Sequence, residues 1–449
     1  MQPETILISK IINGGFGLGH ASSGQVVLVR HVLPGETVRV TPLEKRKNHL
    51  LARLDEVLTP HRQRRPPPCP YAGQCGGCDF QHGDYALQLQ LKKAVVAELL
   101  LRGGPTLAAA AEALADPLGA PQELHYRQRL RLRVDGRVRL GFTRFQSHEV
   151  VPVAACLLGG ALHNRVLSAL ATLPAARTLC QLAEEVEILE NPDRGQAVVV
   201  LRLRRKPRPA DISAARAVCG AVADIASVFL HGSGFALQGP YGAAASADGL
   251  VDGRTLAHSY APSATLPRGL SLGWEVGGFC QVNLRQNLSL IDTVLDFCQP
   301  WQGMSLLDLY CGMGNFSLPL AMRGARVHGI EGQAAAIRSA SANAMRAGLT
   351  ETRFEQSPIH QACDRLVTEG RRFDCIVIDP PRQGAPELAP RLAELTAGRL
   401  VYISCDPATL CRDLQQLVAA GFAIRRLQPV DMFPQTHHIE TVVLLEKAS

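Results

Sequence analysis

Short apolar runs recur through the C-terminal third of the chain, and each stops at a polar residue. Leu306-Leu307-Asp308-Leu309 leads into Tyr310-Cys311-Gly312-Met313-Gly314-Asn315. Val327-His328-Gly329-Ile330 stops at Glu331, and Cys375-Ile376-Val377-Ile378 stops at Asp379-Pro380-Pro381-Arg382. Leu400-Val401-Tyr402-Ile403-Ser404 stops at Cys405, with Leu410, Leu414, Leu417 and Val418 then falling at helical spacing. Runs this short, bounded by turn residues and alternating with helical periods, predict a parallel sheet covered by helices. A helix over Leu284–Cys298 opens the region. Ligands and chemistry gather at the C-terminal ends of strands in such sheets. The polar residues that end the runs are therefore the candidates.

Upstream the pattern changes. Ile6–Ile8, Gln25–Val29 and Thr37–Val40 are strand-like, with glycines from Gly14 to Gly19 between them, and predict a small β-barrel over 1–62. Lys45, Arg46, Lys47 and Arg53 follow the last of these strands and suit a nucleic-acid partner. Arg62, Arg64, Arg65 and three prolines read as a linker. A helix is expected over Tyr85–Arg102, while 103–121 is Ala-rich and gives no clear period. His125–Val134 alternates apolar and basic positions, which predicts a half-buried strand with an arginine face, read as a phosphate-binding surface. Further strand signals make 63–278 an α+β module, and 279–449 the sheet with the chemistry.

Two groups of cysteines carry chemistry. Cys69, Cys75 and Cys78 lie in a Gly- and Pro-flanked loop with C-x5-C-x2-C spacing. Zinc and iron–sulfur both suit such a set once a fourth ligand is found. No second CxxC unit is present, so a remote single cysteine completing a cubane fits better, with Cys156 the candidate. The other group is Cys405 itself, together with two acids at neighbouring strand-linked loops, Asp379 and Glu440 in Phe433-Pro434-Gln435-Thr436-His437-His438-Ile439-Glu440-Thr441. The turn at Gly312-Met313-Gly314-Asn315 is not the Gly-x-Gly-x-x-Gly of pyrophosphate sites. With Glu331 and Asp379 at the next strand ends, it favours S-adenosyl-L-methionine over NAD.

The Asp379-Pro380-Pro381-Arg382 turn, the Ser404-Cys405-Asp406-Pro407-Ala408-Thr409-Leu410 loop and the Phe433–Thr441 loop together resemble the RNA uracil-5 methyltransferases. The resemblance covers most of the chain and is closest to the 23S rRNA branch. It implies a multidomain α/β protein: an OB-like TRAM barrel, a central iron–sulfur domain and a Rossmann-like methyltransferase domain. It implies Cys405 as nucleophile on uracil C6, Glu440 as the base that removes the C5 proton, and Asp379 between base and cofactor. Gln281, Tyr310, Asn315, Glu331 and Asp379 would contact S-adenosyl-L-methionine, and Cys69, Cys75, Cys78 and Cys156 would hold a [4Fe-4S] cluster. Asp406 stands where the family usually has Asn, and a carboxylate there is expected to oppose thiolate formation at Cys405.

Composition narrows the alternatives. No run of 18 apolar residues is free of charge, so no membrane span is expected. The N-terminus lacks a secretory pattern, and 13 cysteines without one argue for a reducing compartment, hence the cytoplasm. A net charge of +7 agrees with an RNA partner, and a monomer is expected. The rivals are tRNA as substrate and a non-catalytic RNA-binding iron–sulfur protein. A cytosine-5 methyltransferase would show a Pro-Cys turn, whereas Ser404 precedes Cys405 here.

Overall fold

The computed structural model describes residues 3–242 and 253–447. Strands β1 (Glu4–Ile12), β2 (Phe16–His20), β3 (Val26–Val29), β4 (Thr37–Lys45) and β5 (Leu50–Thr59) close into a barrel in the order β1-β2-β3-β5-β4. Ile6, Ile8, Val27, Val29, Val38 and Val40 fill it. Two expectations change here. The glycine run is partly strand: a Cβ at Gly17 would meet Val32 Cγ2 at 2.3 Å, so the small residue serves close packing as well as turning. Arg53 does not follow the last strand but lies inside a fifth, where it pairs with Asp55 at 3.0 Å.

The central sheet has β6 (Arg129–Val134), β7 (Leu140–Thr143), β8 (Val150–Pro152), β9 (Ala183–Asn191), β10 (Gln196–Leu203), β11 (Ile225–Gly232) and β12 (Phe235–Gly242), in the order β12-β11-β10-β9-β6-β7-β8. Its arginine face is not a free phosphate surface. Arg131 and Arg133 lie opposite Glu187 and Glu185 on β9. Arg129 and Arg131 both bond Glu187, the latter at 2.5 Å. Cross-strand pairing of opposite charges has taken up much of that stripe. A hairpin of β13 (Thr255–Tyr260) and β14 (Leu270–Glu275) follows.

The last sheet contains β15 (Ser305–Leu309), β16 (Arg326–Glu331), β17 (Thr352–Gln356), β18 (Phe373–Ile378), β19 (Thr396–Ser404), β20 (Phe422–Val430) and β21 (Glu440–Lys447). Their order is β17-β16-β15-β18-β19-β21-β20. The first five strands are parallel, and β21 runs antiparallel between β19 and β20. Strand order reverses beside β15, which opens a crevice above the ends of β15 and β18.

One face of the helix Tyr85–Arg102 and the Ala-rich segment after it pack on this sheet, far away in sequence, while the other face packs on Phe80, Ile11 and Leu33. Val96, Leu100, Leu107, Ala110 and Leu114 share one core with Leu414, Leu417 and Leu427. Leu114 and Leu118 bridge to Leu427 and Val430 on β20. Lys92 and Asp431, both fully buried, pair at 2.7 Å, and Tyr85 adds a hydrogen bond to Asp431 at 2.9 Å. Removing one partner of such a pair strands a buried charge, at a cost of about 3–5 kcal/mol.

Candidate active site

Cys405 directly follows β19, and its neighbour Asp406 caps the helix Pro407–Ala419 by accepting from Thr409 N at 2.8 Å. This corrects the expectation for Asp406. Its carboxylate is engaged at the helix N-terminus, where negative charge is favoured. The carboxylates that act on Cys405 are instead Glu440, the first residue of β21, and Asp379, the residue after β18. Burial, then Glu440, then Asp379 push the Cys405 thiol up to about 12, and Arg382 opposes them. Burial pushes the Glu440 carboxyl up to about 7, again against Arg382. Asp379 is raised well above the usual carboxylate range by burial, then by Glu440, then by Asp308. Cys405, Asp379, Glu440 and Arg382 thus converge, although they come from distant loops. A pocket of about 200 Å³ opens over Cys405, and Asn13, Gly14, Arg382, His437 and His438 share its walls.

The crevice beside it suits a cationic ligand. Asp308 is fully buried and pushed up to about 7, first by burial, with Glu331 adding to the shift. Its Oδ2 accepts from Ser317 at 2.5 Å, while its Oδ1 is buried without a partner. Glu331 ends β16 and accepts from Gln333 N at 2.9 Å. Tyr310 sits at a left-handed φ of +61° on the Gly-rich turn. Asn315 is buried and bonds Asn287 in both directions, at 2.8 and 3.1 Å. Gln281 is buried in the segment just before the helix Leu284–Cys298. Glu331 raises the proton affinity of Asp308, and Asp308 that of Asp379, so a positive charge placed among them is stabilised.

Cys69, Cys75, Cys78 and Cys156 line one cavity of about 60 Å³ with Leu130, Phe142, Val153 and Arg127. Burial raises the thiols of Cys69 and Cys75 and pushes that of Cys78 up to about 12. Gly77 N donates to Cys75 Sγ at 3.4 Å, and Asn164 holds the Cys156 backbone at 2.8 and 3.2 Å. Arg127 Nε is buried without a partner. Among the described residues, no three His, Cys, Asp or Glu side chains stand close enough to share one metal ion.

Sequence reasoning missed Asn13, Arg30 and Asp79. Asp79 Oδ2 accepts from His437 Nδ1 at 2.6 Å and from His437 N at 3.1 Å, and Asp79 Oδ1 pairs with Arg30. The one available signal was that Asp79 directly follows Cys78.

The inserted antiparallel strand, the acid-tipped parallel strands and the absence of a pyrophosphate turn define a methyltransferase fold. Residues 272–448 match the family described as tRNA (Uracil-5-)-methyltransferase. A 23S rRNA (uracil(1939)-C(5))-methyltransferase of Pseudomonas putida is 34% identical over 99% of this chain and 94% of its own length. One of Halomonas elongata is 35% identical over 98% of this chain and 89% of its own. The solved tRNA (uracil-54, C5)-methyltransferase of Pyrococcus abyssi, in complex with S-adenosyl-L-homocysteine, superposes with a TM-score of 0.71. That match covers 98% of this chain and 99% of the other at 21% identity, and speaks for the fold alone. The chain belongs to the RNA uracil-5 methyltransferase family.

Proposed function

We propose that this protein methylates C5 of a uridine in 23S rRNA, using S-adenosyl-L-methionine, with Cys405 as nucleophile and Glu440 as base. The observation that carries the reading is that Glu440 and Asp379, from two other strand ends, lie close enough to act on the Cys405 thiol. Long relatives named for 23S rRNA favour that substrate over tRNA.

C5 of uracil is a weak nucleophile. Cys405 gives its proton to solvent and adds to C6 as the thiolate, forming an S–C6 bond. The C5=C6 electron pair shifts toward O4, which makes C5 an enolate carbon. S-adenosyl-L-methionine, when bound, supplies an electrophilic methyl group. Once C5 carries the methyl, Glu440 takes the C5 proton, the double bond re-forms and the S–C6 bond breaks. Asp379 would stabilise the cofactor's positive charge. Gln281, Tyr310, Asn315 and Glu331 would contact the remainder, Glu331 through the ribose hydroxyls. The uridine must leave its stack to enter the pocket over Cys405. The barrel is assigned as a TRAM-like RNA-binding module.

Cys69, Cys75, Cys78 and Cys156 are assigned to a [4Fe-4S] cluster. In support, the four line one cavity together with Arg127. Arg127 and the Gly77 N–H would offset the cluster's negative charge.

Incubation with RNA carrying 5-fluorouridine tests the nucleophile. Fluorine replaces the C5 proton, so elimination is blocked and a covalent adduct to Cys405 should persist in denaturing gels. Absence of an adduct on 23S rRNA and tRNA fragments alike would leave the non-catalytic reading standing.

A further inference from the structure

The wall of the Cys405 pocket is not built by the methyltransferase sheet alone. Asn13 and Gly14, from the turn between β1 and β2, line it. The next residue, Gly15, packs so tightly on the Phe433–Thr441 loop that an added Cβ would meet His437 Cβ at 2.9 Å and Asp79 Cβ at 3.4 Å. Gly15 also holds φ +78°, where a side chain is strained.

One residue ties this contact together. Asp79 lies between the cysteine loop and the helix Tyr85–Arg102, and its polar groups reach both the barrel and the Phe433–Thr441 loop. Its carboxylate takes Arg30 of the barrel with one oxygen, and the ring and backbone of His437 with the other. Its backbone N–H donates to Gln435 O at 2.9 Å, and the next N–H, of Phe80, to the same oxygen at 3.0 Å. Arg30 in turn lies 3.8 Å over the Phe145 ring, which meets Phe16 of β2 edge to face at 5.5 Å. Gln435 is clamped from the far side by Gln88 through two hydrogen bonds of 3.0 Å. The Asp79 carboxylate thereby links the barrel, the cysteine loop and the loop ending at Glu440.

We propose that Asp79 is a positioning residue for the Cys405 pocket: by holding His437 and Arg30, it sets the barrel's Asn13–Gly15 turn as a wall of that pocket. The barrel then takes part in the chemical step and does more than hold RNA. The inference rests on Cys405 as the reacting thiol. Adding a base to that thiol requires the ring to be held at a defined place, and a wall displaced by about 1 Å can cost on the order of 100-fold in rate.

The test compares the iron-loaded wild type, Asp79→Asn, Gly15→Ala and the double variant on one RNA hairpin. Single-turnover methylation, RNA affinity, S-adenosyl-L-methionine affinity and iron content are measured for each. Asp79→Asn should lower the single-turnover rate about tenfold, with both affinities and the iron unchanged. Gly15→Ala should do the same from the barrel side, and it decides the matter if Asp79→Asn loses iron. Because both changes disturb one wall, the double variant should be no slower than the slower single one. A wild-type rate in both variants, a loss confined to RNA affinity, or additive losses would overturn the proposal. Failure of the wild type to trap 5-fluorouridine RNA would sink the Cys405 assignment and this proposal with it, whereas wild-type rates in the variants with trapping intact would sink this proposal alone.

Discussion

The molecule holds two thiol sites with different surroundings. Burial pushes Cys78 and Cys405 alike up to about 12. Cys78 faces a cavity of about 60 Å³ with three other cysteines and walls of Leu130, Phe142 and Val153. Cys405 faces about 200 Å³ walled by Asn13, Arg382, His437 and His438, with Glu440 and Asp379 acting on it. Proton affinity therefore does not assign the role of a cysteine here; the wall does. A small, mostly apolar cavity lined by four cysteines suits a ligand set, whose thiolates are stabilised by metal. A roomier polar pocket admits a base and offers acids to move its protons.

The strongest way to break the contrast is to remove one sulfur from each site. Cys405→Ala should take methyl transfer to background while S-adenosyl-L-methionine binding, followed by calorimetry, and iron content stay as in the wild type. Cys156→Ser should instead strip the brown colour and roughly four irons of a [4Fe-4S] cluster from anaerobically purified protein. Cys219→Ser, whose sulfur donates to Tyr241 O at 2.8 Å, should keep both. Stoichiometric zinc in the wild type would overturn the cluster assignment.

The acids of the Cys405 site sharpen the comparison next. Glu440→Gln should leave addition and methylation intact and block elimination, so a methylated RNA adduct accumulates on denaturing gels. Asp379→Asn should weaken cofactor binding or methyl transfer and accumulate none. The reverse pattern would exchange the two roles.

A pH effect is smaller. Trapping of 5-fluorouridine RNA by Cys405 should speed up from pH 6 to 9, because the reactive thiolate gains about tenfold per unit below the thiol's pKa. A flat profile would show that another group already holds the proton.

The smallest effect is on stability. Glu440 is raised in the folded protein from an ordinary value near 4.5 to about 7. The folded state thus binds the extra proton between those values, and the stability tied to it is lost as pH rises through about 7. Glu440→Gln should therefore raise Tm at pH 8, by no more than the equivalent of about 3 kcal/mol, and leave it unchanged at pH 4. An equal shift at both values would refute the burial argument.

Local signals carried much of the site. The placement of Cys405 and Asp379 at strand tips could be read because apolar runs and turn residues act over a few positions. The helices Tyr85–Arg102 and Leu284–Cys298 were legible for the same reason. Pairings across long separations were not. The arginines of β6 looked free because Glu185 and Glu187 lie on another strand, brought alongside by sheet order. Asp406 looked like a neighbour of the thiol in sequence, but its carboxylate turns to the helix end. The Ala-rich stretch after Arg102 gave no period because its partner is the edge strand β20, with Leu114 against Leu427 and Leu118 against Val430.

What the sequence determined by itself was the inventory and its local geometry: which residues end strands, which sulfurs share a loop, which turns lack a pyrophosphate fingerprint. Backbone sterics and hydrophobic period operate within a few residues, so one chain is enough to read them. Only the tertiary structure decided which loops meet. Asp79 and His437 are 358 positions apart, and no period or propensity links them. Their contact depends on burying the helix Tyr85–Arg102 against the far sheet, with Lys92 paired to Asp431. That burial brings the barrel turn at Asn13–Gly15 over a thiol encoded almost four hundred residues later.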